Sequence, residues 1–409
     1  VPYPGGNRLE TDQAVIDTNG IMWLGTGSLW RFDTRTFSMT VVRPRDPNLE
    51  VILDNVISAY QDRNGLIWAG TAGYGVFTYD PRVERFNTQP GASVRWMQPT
   101  FDGDVLSLSQ RKFLSIFDPT TRTFLAQSVD QGAELKALFD GLIDDTEAVA
   151  QDEDGLLWLC KGDLFSLDPA TGKAQRFRLA DETGQLVPHR KSCFPIHQDG
   201  NKALWFGCDT AFYRFDKSSH RFSRFRFPIV PVQYPYLFVQ AIHQDAHGVF
   251  WIGTVKGLLR LEPSTGEWKH FANDPDDASS LSFDLIFSVL PDPTEPDRYL
   301  WIGTNGGGLN RFDKTTGKCA RFTEKDGLPN DVIYGILSDE DGDLWMSTNK
   351  GISRYSPSNG TFRNFTASDG LQGDEFNRNA FCELKDGRLF FGGVNGFNHF
   401  HPKDLKEDL

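Results

Sequence analysis

"DRNGLIWAGTAGYGVFTYDP", Asp62 to Pro81, holds a polar turn, a short apolar run around one Trp, a glycine-rich break, a second apolar run and Asp-Pro. Nearly the same phrase returns as "DTNGIMWLGTGSLWRFD" from Asp17, "DEDGLLWLCKGDLFSLDP" from Asp152, "DAHGVFWIGTVKGLLRLEP" from Asp245 and "DEDGDLWMSTNKGISRYSP" from Asp339. With the Trp as phase marker, the series runs Trp23, Trp68, Trp158, Trp205, Trp251, Trp301 and Trp345, and Leu106 and Phe390 hold the place in two degenerate copies. Nine copies at a period of about 45 residues are what four-stranded propeller blades require.

Within a copy each piece has a physical reason. A first strand such as "NVISAYQD" ends in a turn in which Asp62 accepts bonds from following amides and Gly65 accepts positive φ. The second strand, "LIWAGT", is apolar on both alternating faces, as a strand covered on two sides must be. A third strand, "GVFTYD", enters an Asp-Pro or Asp-Lys turn ("DPATGK" at 168–173, "DKTTGK" at 313–318) that leads to a fourth strand ending in Arg-Phe, as at Arg85-Phe86, Arg176-Phe177 and Arg321-Phe322. Runs this short, bounded by Gly, Pro and Asp, exclude a helical reading except at "ELKALFDGLI", Glu134 to Ile143, where apolar spacing predicts a short helix.

The expected fold class is therefore all-β: a single β-propeller domain over 1–409, built from nine repeats as four-stranded antiparallel blades. Eight blades with an irregular unit around Leu106, or part of something longer, are the alternatives. Each sheet hides its faces only against a neighbour, so the ring must close. The ninth copy lacks a clear fourth strand after Pro402, and Val1 to Glu10 is the segment expected to supply it.

A net charge of −13 argues against nucleic acid, which needs a basic face to displace counterions, although a local basic pocket can persist on an acidic protein. The sequence contains no apolar run long enough to cross a bilayer and no leader at Val1, so the chain as given reads as soluble, with any signal or anchor outside it. Five cysteines without a CxxC pair exclude a zinc ribbon or a disulfide scaffold. One pair is in register: Cys193 and Cys208 sit opposite each other across the turn at Asp199 to Lys202, close enough for a disulfide. Cys160, Cys319 and Cys382 read as buried thiols.

The repeats resemble the two-component regulator propeller repeat. The most specific matches are "DGLPNDVIYGILSDEDGDLWMSTNKGISRY" (Asp326 to Tyr355) and the ending "DGLQGDEFNRNAFCELKDGRLFFGGVNGFNHFHP" (Asp369 to Pro402). The ending is similar to the last blade of sensor ectodomains of bacterial hybrid histidine kinases and related membrane-bound diguanylate cyclases. The resemblance implies a sensing domain on the periplasmic or extracellular side of a bacterial membrane, often for oligosaccharides, tethered through a small β-sandwich, a membrane helix and a cytoplasmic module. None of those three is present in this sequence, and nine repeats match neither one nor two of the family's seven-bladed rings.

In a propeller, the loops between second and third strands and the connections between blades converge on one face. The first set offers Tyr74, Lys256, Asn305, Lys350 and Asn395. The second offers Arg95 and Trp96, then His189, Arg190 and Lys191, then Tyr234 and Tyr236, then Asn377 and Arg378. Aromatic faces beside amide and guanidinium groups suit a saccharide; the competing reading is that Asn serves turn geometry and Trp96 packs between blades. Asp339, Asp341 and Asp343 resemble a calcium loop but lack its bidentate acid, and the same Asp-Gly turn recurs throughout. His243 and His247 straddle a hairpin, with His197 in the equivalent place one copy earlier, and make no metal site. No carboxylate pair, phosphate loop or nucleophile set stands out. The expectation is a non-catalytic ligand-sensing propeller without cofactor. Its partner is an oligosaccharide or other small ligand, or a protein, with homodimerisation as one route for the signal. A carbohydrate-active lyase or hydrolase and a protein-interaction scaffold are the alternatives.

Overall fold

The copies of the repeat form antiparallel sheets, and the fold is all-β. The computed structural model describes residues 14–17, 20–35, 37–42, 56–63, 65–79, 86–109, 114–125, 149–161, 163–169, 171–180, 195–208, 210–229 and 237–405. The predicted helix at 134–143 lies outside them. Among the described residues, nine sheets answer the nine repeats: eight have four strands and one has three. The chain divides into two compact units, Val1–Arg85 and Phe86–Leu409, where the repeat count suggested one domain.

In the first unit, a four-stranded sheet (Ala14–Ile16, Ile21–Thr26, Ser28–Asp33, Ser38–Val41) packs on a three-stranded one (Val56–Gln61, Ile67–Thr71, Gly75–Tyr79). Their shared core contains Trp23, Leu29, Val56, Ile67 and Ala69.

The second unit has seven four-stranded sheets, here blades I (94–125), II (149–177), III (196–226), IV (239–271), V (286–322), VI (333–365) and VII (376–400). Seven apolar clusters join them in a cycle. Trp96, Leu106 and Leu108 meet Val149 and Leu159 between I and II, and Trp158 and Phe177 meet Phe206 and Phe215 between II and III. The pattern repeats from III to VII. The last cluster joins Phe390, Phe397 and Ala380 of VII to Val94, Val105 and Phe117 of I. The ring of blades therefore closes inside the second unit.

Closure uses a different strand from the one expected. Asn87–Pro90, not Val1 to Glu10, is the fourth strand of blade VII, pairing Gln89 with Phe397 and Thr88 with Asn398. Phe86 is buried beside it, edge-on to Phe365 and Phe400 at 5.1 and 4.9 Å. By repeat phase these residues belong to the second copy. They pair with the ninth because the outer edge of blade VII needs a partner and their Phe fills its core.

The recurring Asp and Trp form one device. Asp17, Asp62, Asp152, Asp199, Asp245 and Asp339 each take the indole N–H of the Trp six residues on, at 2.7–3.0 Å, on Oδ2. Oδ1 accepts the amide four residues on, closing the turn. In blade V the longer turn from Asp292 leaves Trp301 Nε1 without a partner, and Asp292 binds Arg311 instead. Blade VII has Phe390 at the Trp position and Leu384 at the Asp position.

Cross-strand from each marker lies a recurring third-strand position. It is Arg354 opposite Trp345 and Arg311 opposite Trp301, but His399 opposite Phe390. His399 is buried among Phe117, Phe390 and Phe397, and neither ring nitrogen has a partner. Burial, with help from Arg122 and Arg388, pushes its pKa down to about 4. The folded state therefore resists a proton that the unfolded chain accepts near 6.5. Stability from this group is complete above about pH 6.5 and declines as pH falls toward 4, by about 3 kcal/mol in all. Urea unfolding of His399→Phe at neutral and acid pH should show a smaller acid loss than the parent; equal losses would refute the assignment.

Candidate functional site: the loop face of the second unit

The first strands of adjacent blades lie against one another in blades IV to VII and across VII to I, so they form the inner wall of the ring. Five of these strands carry an irregularity near the loop face. The register slips past Arg95 in blade I, Gln240 in IV, Phe287 in V and Tyr334 in VI, and across Asn377 to Ala380 in VII. A bulge re-aims the extra side chain out of the alternation that packs its neighbours between blades. The residues so displaced differ from blade to blade, unlike the repeat core.

Several of them touch. Phe287 and Tyr334 stack at 5.5 Å with 29° between their planes, and the Tyr334 hydroxyl donates to Asn349 Oδ1 at 2.7 Å. Arg378 reaches from blade VII to blade IV, where its Nη1 donates to Gln240 Oε1 at 3.5 Å. Burial raises the pKa of Tyr334, Glu375 raises it further, and Arg378 opposes them, which puts all three in one field. Asn377 ties blade VII to blade I through bonds to Ser93 Oγ (3.0 Å) and the Val94 carbonyl (2.7 Å).

The surrounding loops are rigidly built. Thr254, Thr304 and Thr348 hydroxyls donate to the carbonyls of Gly257, Gly308 and Gly351 at 2.8–2.9 Å. Gly351 sits at φ +94°, where a Cβ would strike the Phe365 carbonyl oxygen, so the loop admits glycine alone. The connections from blade IV to V, V to VI and VI to VII each bring an Asp to this point. The carbonyls of Asp284, Asp331 and Asp374 accept the amides of Gly257, Gly308 and Gly351. Their carboxylates accept the amides of Asn273, Glu324 and Ala367.

The residues named from sequence fall into distinct groups. Arg95 and Arg378 are exposed at the bulges. Lys256 is exposed in its loop, and Lys350 is exposed with Glu324 4.0 Å away. Asn305 is half-buried, its amide bonded to the Leu285 carbonyl. Asn395 is spent on Gln372, through its own amide and through Nδ2. Trp96 is a correction: it is buried between blades I and II, because its place in the strand alternation faces the core. Tyr74 is exposed in the first unit. His189, Arg190, Lys191, Tyr234, Tyr236 and Cys193 lie outside the described residues.

Cys208 is disulfide-bonded; Cys160 and Cys382 are buried thiols, as expected, and Cys319 is a partly buried one. The oxygens of Asp339 are taken by the amides of Asp341 and Asp343 and by Trp345, and Asp343 pairs with Arg354. His243 lies in a first strand with its pKa pushed down to about 4, by burial and by Lys314; His197 Nε2 lies 3.4 Å from Gln244 Oε1.

Gln240, Phe287 and Tyr334 escaped the sequence reading. The signal was there as the residue directly after the first buried aliphatic of a strand ("VQA", "IFS", "IYG"), off the alternation.

Residues 327–350 match the family described as two component regulator propeller, and the chain carries that repeat. No curated protein sequence matches. Among solved structures, the extracellular domain of the hybrid two component system BT3049 from B. thetaiotaomicron is 22% identical with a TM-score of 0.71, over 96% of this chain and 51% of that one. The chain thus spans about half of that relative's length. YCF48 from Cyanidioschyzon merolae is 12% identical with a TM-score of 0.56, over 77% of this chain and 98% of its own. YCF48 bound to D1 peptide gives 0.55 at 12% identity, over 77% of this chain and 94% of its own. These likenesses establish the propeller fold.

Proposed function

We propose that this chain, a carrier of two-component regulator propeller repeats, is the ligand-sensing part of an extracytoplasmic receptor. In this reading it binds an oligosaccharide at the loop face of its second unit without cleaving it. The observation that carries the reading is the set of bulged side chains in which buried Phe287 and Gln240 back partly exposed Tyr334 and exposed Arg378, so that one aromatic ring and a guanidinium stand on a rigid frame. Sugars are held by this mixture, stacking on one side and accepting directed hydrogen bonds on the other. Non-catalysis is supported by the use of the repeat carboxylates in turns and indole bonds, which leaves them no role across a glycosidic bond.

Thermal-shift screening against an oligosaccharide panel, followed by product analysis of every hit, tests this directly. The expected result is stabilisation without new reducing or unsaturated ends, lost in Tyr334→Ala. Turnover would make the protein an enzyme. Silence with all glycans and a response to peptides would move the face to protein binding.

A further inference from the structure

Among the marker indoles, Trp68 stands apart. Trp23, Trp158, Trp205, Trp251, Trp301 and Trp345 are each at most 3% exposed, covered by the sheet of the following copy, whereas Trp68 is 41% exposed. Its neighbours on the same face are open too. Tyr60, cross-strand from it, is 63% exposed and Val76, cross-strand from Gly70, is 64%, where the equivalent Leu337 and Ile352 of blade VI are 8% and 0%. In the ring an aliphatic of the next sheet sits on the glycine two places after the Trp, as Val239 does on Gly207, Ile286 on Gly253 and Ile333 on Gly303; Gly70 meets only Ser58 of its own sheet. The face also lacks the charge that most of its buried counterparts carry. An Arg stands opposite Trp23, Trp205, Trp251, Trp301 and Trp345, but Thr78 stands opposite Trp68. A contiguous exposed apolar face marks a surface that another protein covers.

We propose that this face joins two copies of the chain about a twofold axis, with Tyr60, Trp68 and Val76 of one copy against the same residues of the other. What covers a marker Trp in this repeat is the face of another sheet of the repeat. The seven sheets of the second unit are closed on one another, and the outer face of the first sheet already buries Leu24 and Phe32. Among the described residues, the sheet face left open is therefore this one, on a second copy. Like can meet like here, because Ser58, Tyr60, Trp68, Gly70, Val76 and Thr78 carry no charge, and Asp62 accepts the Trp68 indole N–H at 2.8 Å. An isologous contact closes on itself, and Trp and Tyr at its centre are the residue types that supply most of the energy of an interface. The contact belongs to the first unit and does not depend on the loop-face reading above.

Sedimentation velocity of the whole chain over a concentration series should show single chains giving way to pairs. Tyr60→Lys and Val76→Lys should each weaken the pairing by about a hundredfold or more, because the twofold axis enters every substitution twice. Ile16→Lys, exposed on the other face of the first sheet, should pair as the parent does. Unchanged melting temperatures would show that the variants are folded. Hydroxyl-radical footprinting of the parent chain gives a reading that needs no variant: oxidation of Trp68 should fall as the pairs form. A single-chain mass at every concentration, pairing that survives both lysine substitutions, or Trp68 oxidised equally in single and paired chains overturns the proposal. Assemblies that grow beyond two chains would mean a head-to-tail contact and overturn the twofold pairing.

Discussion

Trp345→Ala is expected to remove about 3–5 kcal/mol of stability, a large part of what a typical domain possesses. The indole fills the interface of blades VI and VII, 5.7 Å from Phe365 and 5.0 Å from Phe400, and is fully buried. Its removal leaves a cavity and also strips the partner from Asp339 Oδ2. The two losses separate in Trp345→Phe, which keeps most of the volume but not the N–H; about 1–2 kcal/mol should remain, the cost of a partly buried carboxylate left without this donor. Trp301→Phe is the control, because Trp301 Nε1 has no partner to lose. Urea unfolding of the variants decides it. A Trp301→Phe loss as large as that of Trp345→Phe would mean that volume alone matters and the Asp bond contributes nothing.

The second large effect concerns closure. A chain beginning at Phe86 should unfold in one cooperative transition, while one beginning at Gly91 should be less stable by about 4–8 kcal/mol, summing the loss of a buried Phe and of bonds to buried polar groups. Five residues make the difference. Phe86 covers Phe365 and Phe400, and the Thr88 hydroxyl binds the Gly370 carbonyl at 2.7 Å and receives Asn398 Nδ2 at 2.8 Å. Without Asn87–Pro90, blade VII has a bare edge and Asn398, which is buried, loses a partner. Coincident unfolding curves for the two chains would show that the ring holds without its final strand.

Legibility followed the repetition. The turn, the Trp strand and the glycine loops were readable because each is fixed by contacts within one copy or with an identical neighbour. Nine copies voting on the same pattern removed the ambiguity of any one. The role of the carboxylates was readable for the same reason, since an Asp that recurs at every turn serves the turn. The site was read less well. Arg95, Arg378, Lys256 and Lys350 were found because loop positions are countable from the Trp. Gln240, Phe287 and Tyr334 were not, because a bulge is a slip in hydrogen-bond register and leaves only one off-phase residue as its trace. Trp96 was placed on the loop face although its neighbours in the alternation bury it.

Sequence alone determined the class of the fold, its unit, the number of sheets and the spacing at which loops meet one face. Apolar periodicity and turn chemistry act over a few residues, and those residues are written consecutively. Tertiary structure decided where the ring closes, which strand completes it, and that Arg378 spans to Gln240 while Phe287 backs Tyr334. Those outcomes depend on which distant edge lacks a partner and which side chains share a volume. Such facts arise only once the sheets have been brought together.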